Sequence, residues 1–417
     1  MLQAASQNLL GLSVLAAALL ISSLKPQKKA LVFIVALAFV TSIYSVNLEE
    51  FFTEKLNVLK VVVAIFGLEV LSALLKKGRF FELSSRKILR KIRSPTTIFI
   101  VLNILTALLS ALLNNTLVLS YMMLTAASLT ACIPEFDPVE LMISLVISSN
   151  LGSMATLIGD VSNVIVSVNA GIGFLDFMTV AAPISIISTL TSLSILLLRL
   201  VRRGRPSCVL EVGMEPDSRE EHDKSYLIFG LFSMTLMLTL LPLSRRLGTD
   251  ESLALGVTAI FLLFLGGERI SKVFMDVDWA SIVYLGSLLL VTEIISDFGG
   301  FRILLEWVSG MDTRLNVYLA SIGLSTLIDD AEAVAILYPT LRELNASRGT
   351  WWALIIGTTI GSALTPWGSI ANLIALRTIR ERYNIRISPA KFLYITTLAV
   401  SPVIPLAYGI LSILGDE

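Results

Sequence analysis

Three carboxylates and a set of amides stand where a lipid-facing helix wants Leu and Val. Asp160 falls in NLGSMATLIGDVSN (150–163), and Asp329 and Asp330 fall in STLIDDAEAVA (325–335), each inside a long apolar run. An ionisable residue within a membrane span costs roughly 2.5–3.5 kcal/mol on insertion scales, so it is read as functional by default. Like carboxylates close together in low dielectric suit a cation or a proton and repel a multiply charged anion. Asn114, Asn115 and Thr116 in SALLNNT offer neutral ligands in a third run. Gly152, Gly159, Gly361, Gly368 and Pro366 would unwind helices there, and unwound backbone at membrane depth survives only when buried in protein or lining a cavity. Gly, Ser and Thr alone would mean close helix packing. Asp160 with Asn150, Asn163 and Asn372 asks for more, and a broken helix with its half-helix ends at the bilayer centre is the expected answer.

Such residues need apolar helices to hold them. Of 417 residues, 55% are hydrophobic and 15% charged, and the mean hydropathy is +0.82. A soluble domain carries about a quarter charged residues, so the expected fold is an all-α polytopic membrane protein. Leu9–Ile21 lacks a basic leader and a small-residue cleavage site, so it is expected to be the first span. Cys132 and Cys208 make no disulfide framework, and a lone His222 argues against a histidine metal site.

A crossing helix needs about 20 apolar residues. Spans are expected near 7–24, 30–46, 57–75, 139–168, 174–200, 226–243, 252–267, 279–297, 350–376 and 390–414. Segments 96–133 and 316–342 are either re-entrant hairpins or pairs of full spans; their polar residues at mid-segment favour hairpins. Short loops rich in Lys and Arg stay in the cytoplasm. Lys76, Lys77, Arg79, Arg86, Lys87, Arg90, Lys91 and Arg93 place one loop there, followed by Lys25, Lys28 and Lys29, by Arg202, Arg203 and Arg205, and by Arg377, Arg380, Arg382, Arg386 and Lys391. Glu49, Glu50 and Glu54 then fall outside with both termini, in a cell membrane, and Arg245 and Arg246 dissent.

This arrangement divides the chain into a first transmembrane repeat (1–201), a cytoplasmic linker (202–225) and an inverted second repeat (226–417), each of five spans plus a hairpin. The repeat is visible in the letters. GSMATLIGDVSN (152–163) over GSALTPWGSIAN (361–372) matches Gly152, Ser153, Thr156, Gly159 and Asn163 with Gly361, Ser362, Thr365, Gly368 and Asn372. Ser110, Asn114 and Asn115 lie over Ser325, Asp329 and Asp330, and KKGRF (76–80) faintly echoes DFGGF (297–301). Glu69 and Glu293, late in their spans, are open to two readings: ion ligands, or edge acids that reach water. Asp297 and Glu306 read as interfacial.

SALLNNT, SNLGSMATLIGDVSN, VDWASIVYLGSLLLV, STLIDDAEAV and GSALTPWGSIANLI, in that order, resemble the ion transporter superfamily with the citrate-transporter-like domain. The branch with arsenite/antimonite efflux permeases, D-type sodium/proton antiporters and pink-eyed-dilution proteins is the nearest in pattern. The resemblance implies a secondary transporter of two inverted repeats that shifts hairpins and broken helices against a scaffold, elevator fashion, often as a homodimer. An ATPase partner is implied only for the arsenite branch. By the same resemblance the tip role falls on Ser110, Asn114, Asn115 and Thr116 and on Ser325, Asp329 and Asp330. The broken-span role falls on Asn150, Gly152, Thr156, Gly159, Asp160 and Asn163 and on Gly361, Thr365, Gly368, Ser369 and Asn372. Val161-Ser162 stands where the family has Pro-Pro, and Asp329-Asp330 followed by Glu332 is more acidic than the usual second tip.

The expected function is therefore proton- or sodium-coupled antiport of a small inorganic ion or metalloid such as arsenite. Citrate or dicarboxylate uptake is the alternative. Coupling candidates are Asp160, Asp329, Asp330, Glu332, Glu69 and Glu293. The partners expected are lipid and a small ion, with no nucleic acid, no resident metal and no cofactor beyond the coupling H+ or Na+. An enzyme fits less well: there is no H-E-x-x-H and no G-x-S-x-G. An aspartyl protease built on Asp160 and Asp329 is a distant alternative that leaves the repeat unexplained, and a passive channel would not respond to a countergradient.

Overall fold

The computed structural model describes residues 2–47, 55–81, 83, 94–132, 137–202, 224–265, 272–310 and 312–415. The acidic stretch with Glu49, Glu50 and Glu54, the basic residues Arg86, Lys87, Arg90, Lys91 and Arg93, and the linker with Arg203, Arg205, Cys208 and His222 lie outside them. The described residues are helical, with no strand among them. Among the described residues, eight helices are long and apolar enough to cross a membrane, and the chain is a polytopic membrane protein.

The first half runs α1 (Leu2–Leu24), α2 (Lys29–Tyr44), α3 (Leu56–Lys77), α4 (Pro95–Leu112), α5 (Asn115–Cys132), α6 (Pro138–Ser153), α7 (Val161–Ala170) and α8 (Ala182–Arg202). The second runs α9 (Lys224–Arg246), α10 (Glu251–Leu265), α11 (Trp279–Asp297), a short α12 (Arg302–Val308), α13 (Thr313–Leu327), α14 (Asp330–Glu343), α15 (Arg348–Leu364), α16 (Ile370–Tyr383), α17 (Pro389–Val400) and α18 (Val403–Leu414). Short α12 aside, the described residues of both halves thus pass through three helices, a tight helical hairpin, an interrupted helix and a closing span. The expected span 139–168 is broken between Ser153 and Val161, and 350–376 is broken between Leu364 and Ile370. Two details depart from the sequence reading. The stretch before α8 contains a π-helical turn, Phe177–Ala181. The last span, expected as one helix, turns at Ser401-Pro402 into α17 and α18, because Pro402 lacks the N–H that would continue the ladder.

The helices α1, α2, α3 and α11 pack together as a scaffold whose ends are fixed by contacts. Lys77 pairs with Asp276 at 2.5 Å and donates to the Lys272 carbonyl, so the end of α3 meets the approach to α11. At the other end Tyr44 stacks on Phe298, Asn8 donates to the Phe298 carbonyl, and Lys55 pairs with Asp297 at 2.8 Å. Leu24, Lys29, Lys77 and Trp279 therefore share one end of the scaffold.

The hairpins pack against the breaks. α4 lies on α6 so closely that a Cβ on Gly152 would strike the backbone of Ala107, and α13 lies on α15 so closely that one on Gly361 would strike the backbone of Ile322. The two tips, Leu113-Asn114 and Ile328-Asp329, end at the breaks rather than beyond them.

Candidate functional site

The breaks are held open by the chain's own side chains, in the same way in both halves. Asn163 Nδ2 donates to the carbonyls of Ser153 (2.9 Å) and Thr156 (2.8 Å); Asn372 Nδ2 donates to those of Ser362 (2.9 Å) and Thr365 (3.1 Å). A helix leaves its last carbonyls without partners, and these amides take them. Thr156 donates to the Ala111 carbonyl and Thr365 to the Thr326 carbonyl, fastening each break to its hairpin. The half-helix N-termini are occupied too: Asp160 accepts from Ser162 N at 3.1 Å and Ser369 from Ala371 N. The half-helix ends are therefore not bare ligands.

It follows that Asn163→Ala and Asn372→Ala should each destabilise the folded protein by about 1–3 kcal/mol, since two buried carbonyls lose their donor. A lowered melting temperature in detergent, alike for the two variants, is the result to look for. Unchanged melting would show that the breaks do not depend on these amides.

Between the tips lies a cavity of about 390 Å³. Its lining takes Asn114, Asn115 and Thr116 from the first tip, Asp160 from the first break, Asp329 and Asp330 from the second tip, and Ser369 from the second break. Asn115 Nδ2 donates to Asn150 Oδ1 at 3.1 Å and reaches Asp160 Oδ2 at 3.5 Å, and Asn115 also accepts from Ser149. Asn150 in turn donates to Asn372 Oδ1 at 3.0 Å, joining the two breaks. Asp329 Oδ1 accepts from Ile370 N at 2.6 Å, so the second tip's carboxylate sits on the N-terminus of α16, where the helix dipole favours negative charge. Its Oδ2 has no hydrogen-bond partner although Asp329 is only 4% exposed. Asp330 Oδ1 accepts from Ala331 N, while its own N–H donates to the Gly368 carbonyl.

Other candidates stand back from the cavity. Ser110 and Ser325 are fully buried behind the tips, and Ser110 shares a hydrogen bond with Ser149 at 2.7 Å. Gly152, Gly159, Gly361 and Gly368 give close approach, and Thr156, Thr365, Asn163 and Asn372 hold geometry. Of the further carboxylates, Glu69 lines the cavity and accepts from Asn114 Nδ2 at 2.8 Å. Glu293 does not line it: it is gripped by Arg342 (2.7 Å), Lys55 (2.8 Å) and the Tyr338 hydroxyl (2.6 Å). Glu332 is fully buried against Lys29, Ser22 and Tyr284.

Sequence reasoning missed Lys76, Asp276, Asp278, Ser281 and Tyr284, which complete the wall at the Lys77 end. Asp278 belongs to the V-D-W opening of α11, so its motif was visible but its direction was not. The wall carries six carboxylates against one Lys side chain. No cluster of three or more His, Cys, Asp or Glu suited to a metal ion occurs among the described residues.

Residues 9–357 match the sequence profile of the family described as citrate transporter. A 46 kDa membrane protein of Mycobacterium leprae is 27% identical over 378 residues, covering 85% of this chain and 86% of the relative. An uncharacterised transporter of Mycobacterium bovis is 26% identical over 341 residues, 77% of this chain and 78% of its own length. Among solved structures, the YdaH transporter of Alcanivorax borkumensis aligns with a TM-score of 0.55 at 15% identity, over 91% of this chain and 88% of that one, a likeness of fold alone.

Proposed function

The chain belongs to the citrate transporter family, within the ion transporter superfamily, and from that membership we propose a secondary carrier coupled to protons or sodium. The observation that carries this reading is the meeting of Asp160, Asp329 and Asp330, one from the first half and two from the second, in a single cavity whose other lining is mostly acidic or neutral. Carboxylates in such a place bind a cation or a proton, and the cavity's charge opposes a multiply charged anion. The cargo is accordingly a small cation or a neutral metalloid acid carried by antiport. The matched contacts at the two breaks support an inverted repeat in which both halves supply one wall of the site.

The family's description favours a second reading, uptake of citrate or a dicarboxylate. One assay separates the two. Purified protein in sealed liposomes, with an imposed pH or sodium gradient, is offered sodium, arsenite and citrate in turn. Gradient-driven movement of sodium or arsenite, saturable and absent for citrate, is expected. Citrate accumulation under the same gradients would overturn the cation reading in favour of the second.

A further inference from the structure

The second tip is tied to the scaffold by a buried charge pair that plays no part in lining the cavity. Glu332, at the third position of α14, is fully buried. Its Oε1 accepts from Lys29 Nζ at 3.2 Å, Ser22 Oγ at 3.2 Å and Tyr284 Oη at 2.9 Å, three donors on three scaffold helices. Its Oε2 accepts from the backbone N–H of Asp329 at 3.3 Å. Lys29 is itself buried and lies over the Tyr284 ring at 4.9 Å. Glu332 thus grips the scaffold with one oxygen and the backbone of Asp329 with the other.

The partners on the scaffold share a level. Lys29 is the first residue of α2, and Ser22 stands two residues before the end of α1. Tyr284 is five residues into α11, and Glu69, which holds the first tip through Asn114, is eight residues short of the end of α3. At about 1.5 Å per residue, these lie about 8 and about 12 Å from ends that the Lys77–Asp276 pair places together. Helices of 19 and 22 residues have their middles at about 14 and about 16 Å. Both tips therefore sit off the centre of the scaffold, toward the Lys29–Lys77 end, which is also where Lys76, Asp276 and Asp278 line the cavity.

We infer that Lys29 and Glu332 are a positioning pair that latches the second tip, and Asp329 with it, to the scaffold at this end, and that the pair parts in every transport cycle. The inference rests on the carrier reading above. A salt bridge buried this way contributes little net stability against apolar packing, yet parting it leaves two uncompensated charges. Such a pair suits a switch better than a brace, because it makes the intermediate between two positions unfavourable and each end discrete. Removing the Lys charge, or the Glu charge, frees the tip to leave this end.

The test reads position directly. Leu117, on the cavity wall beside the first tip, is replaced by Cys in full-length protein whose Cys132 and Cys208 are replaced by Ser. Labelling by a membrane-impermeant maleimide is then measured from each face of sealed vesicles of known orientation. Lys29→Met and Glu332→Gln are expected to shift the ratio of labelling between the faces away from the Lys77 end by about tenfold, within the usual 5–150-fold range of such couplings. Lys29→Arg, which keeps the charge, should leave the ratio as it is. A brace would lower the yield of folded protein in the Met and Gln variants without moving the ratio, and an unchanged ratio in both overturns the latch. A wild-type protein that shows no gradient-driven transport in the liposome assay defeats the carrier reading instead, which the labelling ratios alone do not measure.

Discussion

Asp329→Asn is expected to reduce gradient-driven accumulation about 100-fold while leaving the protein inserted and folded. The carboxylate has one oxygen on the N–H of Ile370 and the other buried without a partner. An Asn can keep the first contact through its amide oxygen, so the fold survives. What is lost is the charge, and a hydrogen bond to a charged group is worth about 1.5–3 kcal/mol, or about one to two powers of ten in binding. Asp330→Asn should behave alike, because its N–H to the Gly368 carbonyl is independent of the side chain. Asp160→Asn should be milder in accumulation and keep its stability, since Asp160 Oδ1 is already engaged with Ser162 and an Asn oxygen caps α7 there as well as an Asp oxygen does. The measurement is initial rate and steady level in liposomes across a range of external pH. If Asp329→Asn, Asp330→Asn and Asp160→Asn all accumulate cargo as wild type does, with the same pH dependence, coupling has to be sought at Glu69, the remaining buried carboxylate on the cavity wall.

The tips and breaks were legible because the membrane makes polar residues conspicuous: an Asp or Asn in an apolar run has few explanations. Each recurs in the other half, the breaks 209 positions on (361−152) and the tips 215 (325−110), which points to paired structures. What the letters did not reveal was the division of labour among those residues. Asn163 and Asp160 are three residues apart and equally polar, yet one turns inward to collect carbonyls and the other faces the cavity. That difference comes from the direction the chain takes after Gly159, a tertiary fact. Glu332 and Glu293 were equally plausible as ligands from the sequence, because their partners Lys29, Tyr284, Arg342 and Lys55 lie 48 to 303 positions away. The bend at Ser401-Pro402 was written in the sequence as a proline and lost in the hydropathy of an otherwise uninterrupted span.

Gly159→Ala and Gly368→Ala should each destabilise the protein. A Cβ at Gly159 would meet the Ser110 carbonyl oxygen at 2.7 Å and lie closer still to that of Ser153; one at Gly368 would meet the Ser325 oxygen at 2.6 Å and Ser362 Cα at 2.9 Å. In both cases the obstacle is backbone of the hairpin on one side and of the preceding half-helix on the other, so no side chain can swing away. Overpacking of this kind costs about 1–3 kcal/mol where neighbours can give, and here they give little. Gly323→Ala and Gly409→Ala, where nothing lies within 4 Å, are the controls, and both should be neutral or slightly stabilising because Ala is the better helix former. Thermal unfolding of the four variants in detergent, followed by residual transport at a permissive temperature, separates two possibilities. If the hairpin and break move as one body, the Ala variants at 159 and 368 lose stability and transport together, since the site cannot form without the contact. Equal melting of all four would mean that hairpin and break are not pressed together in the membrane, and the cavity between the tips would then have no fixed floor.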